Sequence, residues 1–358
     1  MEAHIMSELK IGLIGNGSIS ESHLSAYQAN PKVKLWAISD LNEARAQETA
    51  KKYGIPHVYP DYNDLLANTE VGAVSICTWN NTHAEISIAA LEAGKDVLCE
   101  KPLCKTVDEA LKIEEAVQRT GRLLQVGYVR RHASNIGVLK KFIDAGDLGE
   151  IYFAKASIIR RLGNPGGWFA DKDRSGGGPL IDIGVHVIDL CWYLMGRPKV
   201  KSVSGNTYSK LGNRSHIENY SFYQAADYDA SLNTVEDMAN ALVRFENGAS
   251  LLVDVSFSLH AKQNSAQVNI YGDKGGAEIE PELSIVTEKH NTIINIEPQI
   301  SEPGFNFQEA FNNEINHFVD ACLGLIQTNS PVEDGVQMIK ILNAIYQSAE
   351  EGREIHFE

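Results

Sequence analysis

Hydrophobic positions in the first third of the chain fall into short apolar runs separated by helical repeats. Lys10 to Ile14 (KIGLI), Val33 to Ile38 (VKLWAI), Val71 to Cys77 (VGAVSIC), Asp96 to Cys99 and Leu123 to Gly127 have the length and composition of buried strands. Between them lie helical patterns. One carries Ile19, His23, Leu24 and Tyr27 and ends near Asn30-Pro31; another runs from Ala44 to Tyr53 and is closed by Gly54. A short helix is expected over Asp61 to Asn68, and a longer one ends at Gly94. Thr106 and Glu109 form a capping box for a helix that stops at Gly121. Strands alternating with helices predict an α/β Rossmann domain, a doubly wound parallel sheet whose ligands bind beyond the carboxyl ends of the strands.

The pattern changes after an amphipathic helix with Ile136, Leu139, Phe142 and Ile143. A long strand is expected from Ile151 to Ile159, followed by a glycine-rich loop over Gly163 to Gly178. Strand-like runs follow at Val200 to Asn206, Ala239 to Phe245, Ala249 to Ser258, Gln267 to Tyr271, Leu283 to Thr287 and Ile293 to Ile296. Asn247-Gly248 is a hairpin signal, and Gly272 to Gly276 reads as another turn. This is the pattern of an α+β domain with an open, mainly antiparallel sheet. Helices are expected at Phe307 to Leu325 and Val332 to Gly352. The expected domains are residues 1–128 and 129–358, with the helix at 332–352 a candidate to pack back on the first. The polar stretch Tyr208 to Asn233, with interleaved aromatics, reads as a sugar-stacking wall, a subunit contact or an ordered surface loop.

Ser175 to Gly196 (SGGGPLIDIGVHVIDLCWYLMG) stands apart. Three glycines and a proline lead into a helix pattern with Ile183, Val187, Leu190 and Leu194 on its core stripe. Asp182, His186, Asp189 and Tyr193 repeat at the same spacing on a second stripe. A helix apolar nearly all round is buried, and buried ionisable groups need partners or a task. The glycines suggest room for a substrate or for one end of a cofactor.

Composition narrows the function. The 358 residues suffice for two domains, and 43% hydrophobic with 22% charged content is ordinary for a soluble protein. A formal charge of −15 and the lack of a basic stripe speak against nucleic-acid binding. No apolar run is long enough for a membrane span. The N-terminal MEAHIMSELK has no apolar core of a signal peptide. Cys77, Cys99, Cys104, Cys191 and Cys322 are odd in number and contain no C-x-x-C pair, which suits reduced thiols in the cytoplasm. Cys99 beside Glu100 is a candidate nucleophile without a His or Asn context.

Strand, Gly15-Asn16-Gly17-Ser18-Ile19, helix, strand and then Asp40 is the order of a dinucleotide site. Gly15, Gly17, Ser18 and Ile19 would face the pyrophosphate at the helix N-terminus. Asp40 would accept from the ribose hydroxyls and repel a 2′-phosphate, favouring NAD over NADP. Ser20 replaces the common third glycine or alanine. Thr78, Asn80, His83, Glu100, Lys101 and Tyr128 all fall at or just after strand ends, where a cofactor crevice forms.

With Gly15-x-Gly17, Glu100-Lys101-Pro102 and Gly177-Gly178-x-x-x-Asp182-x-Gly184-x-His186-x-x-Asp189 in place, the chain resembles the Gfo/Idh/MocA family of oxidoreductases. The resemblance runs from Lys10 to about Arg353 and implies a Rossmann domain plus an α/β domain with an open sheet. It implies a catalytic group of Lys101, Asp182 and His186, and homodimers or homotetramers built through the second-domain sheet. Two departures are Trp79, where proline is usual, and Arg130-Arg131-His132.

The expected activity is NAD-dependent hydride transfer between the nicotinamide and a secondary hydroxyl of a sugar, cyclitol or glycoside. His186 is the natural base, Asp182 an orienting group, and Lys101 a donor to the reacting oxygen. Substrate candidates are Tyr128, Arg160, Trp168, Asp182 and His186, with Arg161, Phe169, Asn164, Asp171 and His260 behind them. Asp182, His186 and Asp189 lack an evident third His or Cys, so no metal site is expected. A non-catalytic NAD-binding regulator on the same scaffold is the alternative.

Overall fold

The computed structural model describes residues 8–225, 227–229 and 231–357. Most of the N-terminal stretch read for a leader, and two positions within Tyr208 to Asn233, lie outside them. The chain divides into two compact units: residues up to 127 with 311–337, and residues 128–310 with those from 338 on.

The first unit is built on β1 (Leu9–Ile14), β2 (Val33–Ser39), β3 (His57–Tyr59), β4 (Ala73–Ile76), β5 (Asp96–Glu100) and β6 (Leu124–Gly127). Their order is β3-β2-β1-β4-β5-β6, and every neighbouring pair is parallel. The crossovers are α1 (Ser20–Ala29), α2 (Glu43–Tyr53), α3 (Tyr62–Ala67), α4 (His83–Glu92) and α5 (Val107–Thr120). Gly54 and Gly121 end α2 and α5 in the left-handed conformation, and the Thr106–Glu109 capping box opens α5 as expected. β4 is buried at every position, as a central parallel strand is, and so is β6 at the sheet's edge, where the Ser330 carbonyl accepts the Val126 amide. Residues 311–337 return to this unit, where Ile315, Phe318 and Val319 join a core with Leu13, Leu24, Tyr27 and Ile38.

The second unit holds α6 (Ser134–Asp144), β7 (Ile151–Ile159), α7 (Lys172–Ser175), a π-helical turn (Leu180–Gly184) and α8 (Val185–Leu194). The sheet continues through β8 (Val200–Tyr208), β9 (Met238–Phe245), β10 (Ser250–Ser256), β11 (Ser265–Gly272), β12 (Gly275–Glu280), β13 (Ser284–Lys289) and β14 (Thr292–Ile296). Then come α9 (Phe307–Cys322), α10 (Val332–Glu351) and β15 (Ile355–His356). The nine strands run β14-β13-β12-β11-β7-β10-β9-β8-β15. Among the described residues of this sheet, only β7 and β10 pair in parallel. α8 covers one face, over Ala154, Ala156, Leu251, Val253, Val268 and Ile270, all buried.

Three strands escape a periodicity reading. β3 and β15 are too short to show alternation, and β12 opens on the two glycines read as part of a turn. The helix pattern at Ser175 to Gly196 is interrupted as well. Its first part is the π turn, and regular α-helix begins only at Val185.

Candidate active site

β1 is followed by Gly15, whose φ is +88°; a Cβ there would lie 2.7 Å from the Cys77 carbonyl oxygen. Only glycine fits. Gly17 is different: the nearest atom to a Cβ, again the Cys77 oxygen, would be 4.0 Å away, so the space above the turn is open. Gly17 and Ser18 are exposed and Ile19 is half-buried, just ahead of α1 and its positive end. Ser20 suits the third motif position because its hydroxyl turns inward, donating to the Gly17 carbonyl at 2.6 Å.

Asp40 is buried. It accepts from the backbone amides of Asn16 (2.6 Å) and Asn42 (2.7 Å) and from Arg45 Nη2 at 2.8 and 3.1 Å. Asn16 also donates to the Arg45 carbonyl (3.1 Å) and Thr49 Oγ1 (2.9 Å), tying the glycine turn to α2. A glycine turn with open space above Gly17, a helix N-terminus and a carboxylate beside it fit the phosphates and ribose of a dinucleotide.

The loops after β4 and β5 are joined by His83. Its Nδ1 lies 2.8 Å from the Pro102 carbonyl and its Nε2 lies 3.2 Å from that of Thr78. Burial holds its pKa below the usual histidine value, so the ring is neutral with one N–H, and the shorter contact makes Nδ1 the donor. Asn80 is buried at the head of a short 3-10 turn, and Thr78 Oγ1 accepts from Thr82 at 2.8 Å. Trp79, in place of the expected proline, is partly exposed.

Glu100 closes β5. One carboxylate oxygen accepts the Lys101 backbone N–H at 3.2 Å, and the other lies 2.8 Å from His23 Nε2. Behind the imidazole, Nδ1 is 3.3 Å from Ser75 Oγ, which is 2.7 Å from the Tyr27 hydroxyl. Lys101 itself is half-buried, and the Lys101–Pro102 peptide is cis. Cys99 is fully buried with its thiol pushed up to about 12 by burial, which makes it a poor nucleophile.

In the second unit, Asp182 lies in the π turn and His186 in the first turn of α8. Both are half-buried, while Ile183, Val187, Leu190 and Leu194 are buried. The start of this element is held by Glu236, which accepts the backbone N–H groups of Gly178 (2.9 Å) and Leu180 (3.2 Å) and the Tyr346 hydroxyl (2.9 Å). The space beside Gly177 and Gly178 is filled by the protein itself. A Cβ on Gly177 would lie 2.0 Å from the Tyr346 hydroxyl, and one on Gly178 would lie 2.4 Å from the Glu236 carbonyl oxygen. π turns often mark functional positions, and here side chains from two other elements hold one in place.

The far end of the polar stripe is structural. Asp189 is paired with Arg131 at 2.9 and 2.5 Å, both side chains essentially without exposure. The Arg131 guanidinium lies 5.0 Å from the centre of the Tyr128 ring and 4.6 Å from that of Tyr193. This engages Asp189, the third ligand of the metal reading, and puts Tyr128 inside a packed cluster. Arg130 pairs with Glu280 and covers Phe305, so both unusual arginines have structural partners.

Arg160, at the end of β7, reaches the Gly163 carbonyl at 3.4 Å. Trp168 stacks on Phe169 with ring centres 3.9 Å apart. Asn164 bonds Asn233 and the Gly166 amide, and Asp171 caps α7, so both serve the loop's own structure. The polar-aromatic segment docks on this glycine-rich loop: Ala225 N–H donates to the Pro165 carbonyl at 2.8 Å, and a Cβ on Gly166 would strike the Tyr228 ring.

The sequence pattern did not mark Asn16, Arg45, Glu236 or Tyr346 as parts of the site. His23 and Ser75 carried a faint signal, as polar residues within otherwise apolar patterns.

Similarity to known proteins agrees with this architecture. Residues 9–128 match the NAD-binding Rossmann fold of an oxidoreductase family, and residues 140–357 match its C-terminal alpha/beta domain. The chain is similar to D-glucoside 3-dehydrogenase of Escherichia coli strain K12, 33% identical over 98% of this chain and 97% of that protein. It is also similar to scyllo-inositol 2-dehydrogenase (NAD(+)) of Bacillus subtilis strain 168, at 28% identity over 87% of this chain and 86% of that one. Among solved structures, levoglucosan dehydrogenase in complex with NADH and levoglucosan is similar with a TM-score of 0.85 and 25% identity. That match covers 97% of this chain and 99% of the other. The first unit is an NAD-binding domain, and the chain belongs to the Gfo/Idh/MocA family of oxidoreductases.

Proposed function

We propose that this enzyme moves a hydride between NAD and a secondary hydroxyl of a glycoside, with C3 of a D-glucoside the first candidate position. The observation that carries the reading is the pair of buried carboxylates, Glu100 and Glu236, that anchor Lys101 and the turn bearing Asp182. A protein that only senses NAD needs neither. Full-length similarity to a D-glucoside 3-dehydrogenase favours a glucoside over a cyclitol.

When bound, NAD accepts the hydride and leaves a ketone. Gly15, Gly17, Ser18 and Ile19 would hold its pyrophosphate and Asp40 its ribose, with Thr78, Asn80, His83, Glu100 and Lys101 towards the reacting end. His186 takes the hydroxyl proton, Asp182 orients the sugar, and Lys101 hydrogen-bonds the reacting oxygen as alkoxide charge develops. Trp168 supplies an aromatic face, Arg160 a charged edge and Tyr128 a further contact with the substrate. Two or four copies associate through the open face of the second sheet, which presents Leu252, Tyr271, Val286 and Ile293. Five free cysteines, four of them buried, suit the cytoplasm.

The test is NADH-monitored turnover of methyl glucosides, hexoses, uronates and inositols, followed by product identification. A 3-keto glucoside is expected. NAD binding with no turnover of any member would overturn the reading in favour of a regulatory protein.

A further inference from the structure

We propose that His23 is a positioning residue for the catalytic lysine: it fixes the Glu100 carboxylate and, through it, the backbone of Lys101. The inference rests on the catalytic assignment of Lys101. His23 lies on α1, far from Glu100 in sequence, and is completely buried. Its ring meets Phe311 with centres 5.4 Å apart, which restricts its rotation.

The hydrogen-bond pattern has one consistent direction. An ionised carboxylate only accepts, so His23 Nε2 carries the proton that meets Glu100 at 2.8 Å. Burial keeps Tyr27 a neutral phenol, which leaves it a proton to donate to Ser75. The Ser75 hydroxyl is then free to donate to His23 Nδ1. Tyr27 and Ser75 thus set the tautomer, His23 sets the carboxylate, and the carboxylate receives the Lys101 amide.

That anchor matters because a lysine ammonium sits on a flexible four-carbon stem, and its aim depends on the backbone that carries it. Pro102 has no N–H to add a second anchor, and its carbonyl is held from the other side by His83. His23 acts on the Lys101 amide through the Glu100 carboxylate, whereas His83 meets the carbonyl of Pro102.

Two half-replacements separate positioning from packing. In His23→Asn the side-chain oxygen can still accept from Ser75, but the chain is too short to reach Glu100. In His23→Gln the amide can donate to Glu100, while the bond to Ser75 is lost. Each variant gives up one bond, so Tm should fall comparably. With NAD and methyl β-D-glucopyranoside, kcat should drop on the order of 10- to 100-fold in His23→Asn and stay within about threefold in His23→Gln. The primary isotope effect with C3-deuterated probe should rise only in His23→Asn. Hydrogen exchange in the peptide bearing the Lys101 amide should quicken in His23→Asn alone, and NAD affinity should hold in both. Equal kcat in the two variants, or a fall in kcat without faster exchange at Lys101, overturns the proposal. Normal turnover by Lys101→Ala would instead remove the catalytic assignment, and the exchange measurement would still report the tether.

Discussion

Each unit of the molecule uses a buried glutamate to hold backbone amides beside the residues proposed to react, but the two anchors differ in the number of amides they hold. Glu100 receives one neighbouring amide, that of Lys101, on a loop beyond a strand. Glu236 receives two, those of Gly178 and Leu180, at the start of a helical element whose positive end also favours a carboxylate. Behind Glu100 stands an imidazole, and behind Glu236 a phenol. Tyr346 and Glu236 further fill the space beside Gly177 and Gly178, so packing supports what the hydrogen bonds fix. The difference teaches that Glu100 holds the lysine loop through one amide, whereas Glu236 holds the Asp182 and His186 element through two.

The largest test of this comparison removes the reactive groups themselves. Lys101→Ala and His186→Ala should each lower kcat on the order of 10²- to 10⁴-fold, with NAD affinity nearly unchanged by fluorescence titration. Near-normal kcat in either would leave its anchor without a catalytic purpose.

Much of the first unit was legible because parallel strands and their helices are local patterns. Gly15, the Thr106 capping box and Asp40 announce themselves within a few residues. The anchors are not local. Glu100 meets His23 across 77 residues of sequence, Glu236 meets Gly178 across 58, and Tyr346 meets Glu236 across 110. Periodicity correctly placed a buried helix with a polar stripe at Ser175 to Gly196 but missed the π turn. Two amides ahead of and within that turn are taken by Glu236, a partner no helical wheel contains. The space beside Gly177 and Gly178, read as room for a ligand, is filled for the same reason: Tyr346 and Glu236 are distant in sequence.

Asp40 sharpens the comparison from the cofactor side. Its carboxylate is shared with Arg45, a half-exposed side chain on α2. Asp40→Ala removes the proposed acceptor for the ribose hydroxyls and releases a guanidinium suited to a 2′-phosphate. The ratio of kcat/KM for NAD over NADP should fall about 10- to 100-fold, the worth of a hydrogen bond to a charged group. An unchanged ratio would remove Asp40 as the ribose ligand.

Tyr346→Phe probes the redundant anchor. It deletes the phenol that donates to Glu236 at 2.9 Å but leaves both amide bonds. A stability loss of about 1 kcal/mol in urea titration is expected, with kcat within about threefold of the parent enzyme. A kcat loss as large as that of His23→Asn would erase the contrast between the two supports.

The smallest expected effect is that of acid on the loop around Lys101. Burial sets the pKa of His83 below the ordinary histidine value of about 6.5, with Glu100 nearby opposing the shift and Lys101 adding to it. In the unfolded chain His83 takes up a proton below about pH 6.5, while in the fold it resists until lower pH. Its neutral state therefore contributes fully above that value, and stability is lost as pH falls from there towards the folded pKa. His317, also lowered by burial and accepting the Asn329 amide at 3.0 Å, adds a loss of the same sign in the same unit. The Tyr346 phenol, raised by burial, does not titrate in this range. His83→Gln should therefore lower Tm slightly at neutral pH but flatten its decline between pH 7 and 5.5, while Tyr346→Phe leaves the slope of that decline unchanged. A His83→Gln profile parallel to that of the parent would mean that the acid response of the Lys101 loop does not come from this imidazole.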